Sequence, residues 1–344
     1  MRSALEAGGR GTQVLGRPRL GFAGVGWIGR HRLEAVVSAD LADIVVIADP
    51  SAESAQAARD AAPGAAVVDS FEEVLDHQDL DGIVLATPSA LHASQSISCL
   101  ERGLAVFCQK PLALTAPETK SVLEAAAAAD RLLAVDLSYR WTDALQKMRS
   151  LIGAGEIGRV FAAELTFHNA YGPDKPWFLD PRLSGGGCAI DLGTHLIDAA
   201  LWALEWPQVA AVSSRLLRRA RRVTSGEEVE DYATAELELA DDVRVRLACS
   251  WFLHAGRDAQ IEISFYGEDG SVSLHNVGGS FYDFKAELWR GTTTSVISEP
   301  PDAWGGRAAV EWTRRLAAGN GFDSDIDHLL QVSEVLDRIY GRAA

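Results

Sequence analysis

Cysteine is scarce in this 344-residue chain, and its four copies, Cys99, Cys108, Cys188 and Cys249, never fall in C-x-x-C spacing. That scatter gives neither a zinc knuckle nor a disulfide framework, so a reducing cytoplasm is the expected location. Positive charge is in deficit: 32 Lys and Arg stand against 48 Asp and Glu, a formal net charge of -16. Such a chain has no general attraction for nucleic acid or anionic lipid. The one basic cluster, RLLRRARR at 215–222, reads as a solvated strand end or turn. Long apolar runs are missing as well. No stretch reaches the roughly 18–20 residues of a membrane span, and the first 17 residues lack the apolar centre of a signal peptide. Residues 1–17 are expected to form a flexible tail.

The length is about twice that of a typical domain. From Arg19 to Leu137 short apolar runs alternate with helical stretches: LGFAG, DIVVIA, AVV, GIVLAT, LAVFC and LLAVDL. That rhythm predicts an α/β fold, a doubly wound parallel sheet of Rossmann type over 18–138. In the second half VFAAELTFH, YATAELELA, VRVRLACSW and AQIEISFYG alternate apolar and polar residues between turn signals. They predict an α/β domain over 139–344 with a large, mostly antiparallel open sheet, one face of which needs cover from helices or from a second copy of the chain.

The first strand runs into GVGWIG, which places Gly24, Gly26 and Gly29 as G-x-G-x-x-G ahead of a helix opening at Trp27 and Ile28. The glycines give a tight turn, close approach to a pyrophosphate and close helix packing, with the helix N-terminus facing the phosphates. Asp49 ends the second strand, where its carboxylate can accept from an adenosine ribose and repel a 2′-phosphate. NAD is therefore favoured, and Arg59 on the next helix keeps NADP open. Thr87 and Pro88 end another strand and are expected on the nicotinamide side. His92 either joins them or lies on the surface of the following helix.

Lys110 follows the strand LAVFC and Gln109 and precedes Pro111, which stops the strand. Partly desolvated beside a nicotinamide, its ammonium donates a proton to a forming alkoxide, or its neutral amine accepts one. Further on, GGGCAIDLGTHLIDAALWAL sets Asp191, His195 and Asp198 at steps of four and three, on one helical stripe. An Asp and a His at that spacing suit an orienting carboxylate and a proton carrier. Capping by Asp191 with a packed core His195 is the structural alternative. A metal site lacks further ligands of matching pattern. The long loop at 169–187 brings Trp177 and Arg182, with His168 just before it, as candidate substrate contacts.

Taken in order, GFAGVGWIG, ATPSALHASQ, FCQKPLAL, YRW with GEIGRV, GGGCAIDLGTHLIDA and SW at 250–251 resemble the Gfo/Idh/MocA oxidoreductase family. The resemblance runs from Arg19 to Arg342. It implies hydride transfer between NAD(P) and a secondary alcohol of a sugar, polyol such as inositol, or glycoside, with Lys110 as the motif lysine and Asp191 and His195 on the substrate side. It implies dimer or tetramer contacts through the second sheet. The residue before the motif lysine is usually glutamate in the family and is Gln109 here, which removes a negative charge beside Lys110. Two other outcomes exist among such proteins: a closed oxidation, elimination and reduction cycle on a glycoside with retained cofactor, and a nucleotide sensor without catalysis.

Overall fold

The computed structural model describes residues 16–224 and 226–342. Of the expected tail, residues 1–15 lie outside that range, whereas Arg17 is tied down, with Nη1 2.7 Å from Asp40 Oδ1 and Nε 3.0 Å from Asp43 Oδ1.

The first sheet holds β1 (Arg19–Ala23), β2 (Asp43–Ala48), β3 (Ala66–Val68), β4 (Gly82–Leu85), β5 (Ala105–Cys108) and β6 (Leu133–Val135) in the order β3-β2-β1-β4-β5-β6. Every pairing is parallel, and β4 and β5 are buried along their whole length, as strands covered on both faces must be. Helices α1 (Trp27–Ser38), α2 (Ala52–Ala61), α3 (Phe71–Leu75), α4 (Ser89–Glu101) and α5 (Ala116–Ala129) make the crossovers. Their starts follow local chemistry: the hydroxyls of Ser51, Ser70 and Thr115 accept from backbone N–H groups that open α2, α3 and α5. Strand order reverses between β1 and β4, which opens a crevice at their carboxyl ends.

After α6 (Asp143–Gly153) come β7 (Val160–Asn169), α7 (Pro181–Ser184), a π-helical turn at Ala189–Gly193 and α8 (Thr194–Ala203). The second sheet is completed by β8 (Val209–Arg218), β9 (Arg221–Arg222), β10 (Tyr232–Leu239), β11 (Arg244–Ser250), β12 (Ala259–Gly267), β13 (Ser271–Asn276), β14 (Phe284–Arg290) and β15 (Thr293–Ser298). Its nine strands run β15-β14-β13-β12-β7-β11-β10-β8-β9, antiparallel except for the β7–β11 pair. The basic cluster 215–222 forms the end of β8, a turn with left-handed Arg219 and Ala220, and β9 at the sheet edge.

Helices α9 (Arg307–Ala317) and α10 (His328–Ile339) close the chain. Helix α10 and the apolar side of α8 pack over one face of the nine-stranded sheet, where Val332, Val335 and Ile339 join Ile197 and Leu201 in one core. Helix α9 instead returns to the first sheet. Its Trp312, 2% exposed, packs on Phe107 of β5 with ring centroids 5.8 Å apart, and Ala309 and Leu316 share that core. Among the described residues no helix is long and apolar enough to cross a membrane.

Candidate active site

A cavity of about 1010 Å³ opens at the carboxyl ends of β1, β2, β4, β5 and β6 and reaches the π-turn and the 169–187 loop. At one end the glycine motif folds as its sequence requires. Gly24 has φ +82°, and a Cβ there would lie 2.4 Å from Ala86 O; one on Gly29 would lie 2.1 Å from Gly24 O. Neither position admits a side chain. A Cβ on Gly26 would meet nothing within 4 Å, so this backbone is bare towards the cavity where α1 begins, a cradle suited to a pyrophosphate. Trp27 and Ile28 line the same wall, while Gly29 serves packing and does not face the cavity.

Asp49 fixes this end. Its Oδ2 accepts from Val25 N at 2.7 Å and its Oδ1 from Ser51 N at 2.8 Å, which aims the carboxylate along the cavity wall. Ser51, Ser54, Asp69, Ser70 and Glu72 continue that wall; Arg59 is exposed and does not line it.

Thr87, Pro88, His92 and Gln109 border the middle. Of the two places open to His92, the structure selects the interior: the ring is 1% exposed, with Nδ1 2.7 Å from Pro111 O and Nε2 2.8 Å from Thr87 O. It joins the two strand-end loops. Burial lowers its pKa, against the pull of the two carbonyls. Gln109 does not face the Lys110 amine. Its side-chain amide donates to Asp136 Oδ2, and the same oxygen accepts Arg32 Nε at 2.6 Å. Arg32 is 4% and Asp136 0% exposed, so a paired charge forms part of the cavity floor beside the position where the family's glutamate usually stands.

Lys110, joined to Pro111 by a cis peptide, holds the far end. Its Nζ donates to Asp191 Oδ1 and to Asp191 O, both at 2.6 Å. The other carboxylate oxygen of Asp191 accepts the indole N–H of Trp251 at 3.1 Å. His195 also lines the cavity, 9% exposed, with Tyr139 packed on its ring at a centroid distance of 4.8 Å. Burial holds its pKa well below the ordinary value, and the charges of Lys110 and Arg32 act in the same direction, so the imidazole is neutral. Its Nδ1 is sealed in without a partner.

The expected Asp191–His195 pairing is therefore corrected. The π-turn inserts an extra residue per turn between them, so the carboxylate turns to Lys110 and Trp251 and leaves the imidazole alone. Asp198, three residues beyond His195 on α8, does not line the cavity and is buried against Arg140, with Nε 2.8 Å from Oδ2. The π-turn itself is anchored from below by Glu230, whose carboxylate accepts from Gly187 N at 3.0 Å, Ala189 N at 2.8 Å and the Tyr340 hydroxyl at 2.8 Å. A Cβ on Gly187 would sit 1.9 Å from Glu230 O, which accounts for the third glycine of GGG.

Among the loop residues, Trp177 lines the cavity, stacked on Phe178 at 3.8 Å, with Asp174 and Lys175 beside them. His168 and Arg182 do not. The His168 ring is turned to Ser250 Oγ at 2.7 Å and stacks on Tyr232, and Arg182 projects into solvent, held by Asp180 two residues earlier. Arg32 and Asp136 line the cavity and Trp251 holds Asp191 from behind it, roles that no sequence motif assigned. Asp136 carried a signal, since it follows the sixth strand as Asp49 follows the second.

The first half matches the model of the oxidoreductase family with an NAD-binding Rossmann fold over residues 19–137, and the second half the GFO/IDH/MocA C-terminal domain over 145–273. The chain is 30% identical over 260 residues to the inositol 2-dehydrogenase of Acidiphilium cryptum, covering 74% of this chain and 73% of that one. It belongs to the Gfo/Idh/MocA family. Within that family it is also 28% identical over 308 residues to D-apiose dehydrogenase of Paraburkholderia graminis, 88% of this chain and 77% of that protein. Levoglucosan dehydrogenase, solved with NADH and levoglucosan, superposes with a TM-score of 0.81 at 22% identity over 94% of this chain and 96% of that one, a likeness of fold. This Gfo/Idh/MocA protein is thus an oxidoreductase with a nicotinamide-dinucleotide domain, and the bare Gly26 wall and the Asp49 carboxylate fit that cofactor.

Proposed function

We propose that the protein catalyses reversible hydride transfer between NAD and a secondary alcohol of a sugar, polyol or glycoside. The observation that carries this reading is the Lys110 ammonium, held by two oxygens of Asp191 on the wall of the nucleotide cavity, with one N–H left for a ligand. When bound, NAD supplies the hydride acceptor. The protein supplies geometry and the proton path. Gly24 and Gly26 with the start of α1 hold the pyrophosphate, Asp49 the ribose, and Thr87, Pro88, His92 and Gln109 flank the nicotinamide.

Lys110 is the proton carrier: as an amine it takes the hydroxyl proton on oxidation, and as an ammonium it returns the proton to the alkoxide on reduction. Neutral His195 hydrogen-bonds the substrate oxygen through Nε2, the nitrogen not sealed in. Trp177 covers a sugar ring. NAD is preferred to NADP because Asp49, Asp69 and Glu72 wall the ribose end while the cationic residues of the cavity, Arg32, Lys110 and Lys175, stand elsewhere. Copies pair through the outer face of the nine-stranded sheet, where Glu164, Glu236, Arg215 and Arg246 lie, a reading that light scattering checks.

The test is growth of reduced-nicotinamide absorbance when NAD, and separately NADP, is offered with myo-inositol, glucose, methyl glucoside and related alcohols. Turnover with NAD and one class of hydroxyl supports the reading. Silence with every alcohol and both cofactors removes it.

A further inference from the structure

Each oxygen of the Asp191 carboxylate has its own donor: Lys110 Nζ at 2.6 Å on Oδ1 and Trp251 Nε1 at 3.1 Å on Oδ2. Trp251 does not line the cavity and is 3% exposed, so it touches neither cofactor nor substrate. A tryptophan kept for volume alone has no need to aim its N–H at a charged group. Here the N–H ends on the one carboxylate that orients the proton carrier. A carboxylate held on one side pivots about its Cβ–Cγ bond; held on both, it is fixed, and a charge-assisted bond is the stronger kind.

The backbone around Trp251 supports the same role. Trp251 N donates to Asp231 O at 2.8 Å, and Cys188 N, just before the π-turn, donates to Glu230 O at 3.1 Å. Both sides of Asp191 are thus referenced to one two-residue segment, 230–231. From the loop over the cavity, Phe178 meets the indole edge-on, with centroids 6.3 Å apart at 90°, so the position of the loop bears on the ring that holds Asp191.

Resting on the reading of Lys110 as proton carrier, we propose that Trp251 is a positioning residue for the reaction. Its indole N–H locks the Asp191 carboxylate and thereby the direction in which the Lys110 ammonium presents its free proton.

The experiment is a double-mutant cycle of Trp251→Phe, which keeps the ring and removes the donor, with Asp191→Ala. Turnover is measured with NAD and whichever panel alcohol reacts. Trp251→Phe is expected to lower kcat about 10- to 100-fold, with KM and the Kd for NADH changed less than about threefold. In the Asp191→Ala background it is expected to cost nothing further. Unchanged kcat in Trp251→Phe, or an equal loss in both backgrounds, overturns the inference, because a packing defect adds independently. If Asp191→Ala itself leaves turnover intact, Asp191 does not orient the carrier and the inference is overturned, whereas silence of the unmutated protein with every alcohol fails the functional reading instead. A second measurement needs neither turnover nor a folded Trp251 variant. Among the nine tryptophans, one indole N–H resonance shifts on Asp191→Ala if Trp251 binds the carboxylate, and a spectrum with no such shift also overturns the inference.

Discussion

Lys110 Nζ lies 2.6 Å from both the main-chain oxygen and Oδ1 of Asp191, so one residue takes two of the three ammonium protons. The main-chain acceptor belongs to the π-turn and survives any change of the Asp191 side chain, whereas the bond to Oδ1 does not.

Replacing the carrier therefore separates chemistry from binding. Lys110→Met is expected to lower kcat by roughly 10²- to 10⁴-fold, the usual worth of a positioned acid or base, with the Kd for NADH within about threefold. Steady-state kinetics and nicotinamide fluorescence titration check this. A variant that keeps more than about a tenth of wild-type turnover would remove Lys110 from the role.

His195 supplies a stability signature. Its native pKa is well below 6.5, chiefly through burial, so between the two values the unfolded chain binds a proton that the native state refuses. Stability rises with pH through that window and is lost as pH falls below 6.5, by up to about 1.4 kcal/mol per pH unit for one proton. Glu230 and Asp198, raised by burial, act with the opposite sign, so the clean observable is a difference. Urea unfolding at several pH values should show His195→Gln less sensitive to acid than wild type; identical slopes would contradict a neutral His195.

The Arg32–Asp136 pair is buried on both sides. Arg32→Leu leaves Asp136 uncompensated and is expected to cost about 3–5 kcal/mol, whereas Arg32→Leu with Asp136→Leu recovers most of it. Calorimetric melting of the three proteins decides: a double variant no better than the single would mean that the loss is one of packing.

Asp49→Ser keeps a small polar group and removes the charge. Weaker NADH binding, by about tenfold, together with a smaller penalty for NADPH, is the expected result. Competitive binding of the two cofactors measures it, and an unchanged ratio of affinities would show that Asp49 does not set the preference.

Period and turn chemistry made the sheets legible. All six parallel strands and the four strands read from alternation in the second half appear in the structure, because burial on two faces or one leaves an unmistakable pattern. Asp191 and His195 were legible as cavity residues, yet their partnership was not. Spacing of four assumes 3.6 residues per turn, and the π-turn at 189–193 breaks that assumption. Arg182 was read from a loop whose ends lie near the cavity and His168 from just before it, but each found a nearer partner, Asp180 along the chain and Ser250 on the neighbouring strand. Arg32 lies three residues beyond the glycine motif, and Trp251 stands in the SW pair at a strand end, where the sequence alone gives no sign of the carboxylates they meet.

Because Trp312 of α9 completes the core against Phe107, the nucleotide-binding half is finished only once the chain has been made through α9. On the ribosome that half is expected to wait through the synthesis of about 170 residues, from 138 to Trp312, before its core against Phe107 is filled. A fragment ending near residue 138 would leave that core open permanently. The fold is thus laced by α9 from beyond the second sheet, and a protein that reads on paper as two exchangeable parts is expected to resist being cut or recombined at the junction between its sheets.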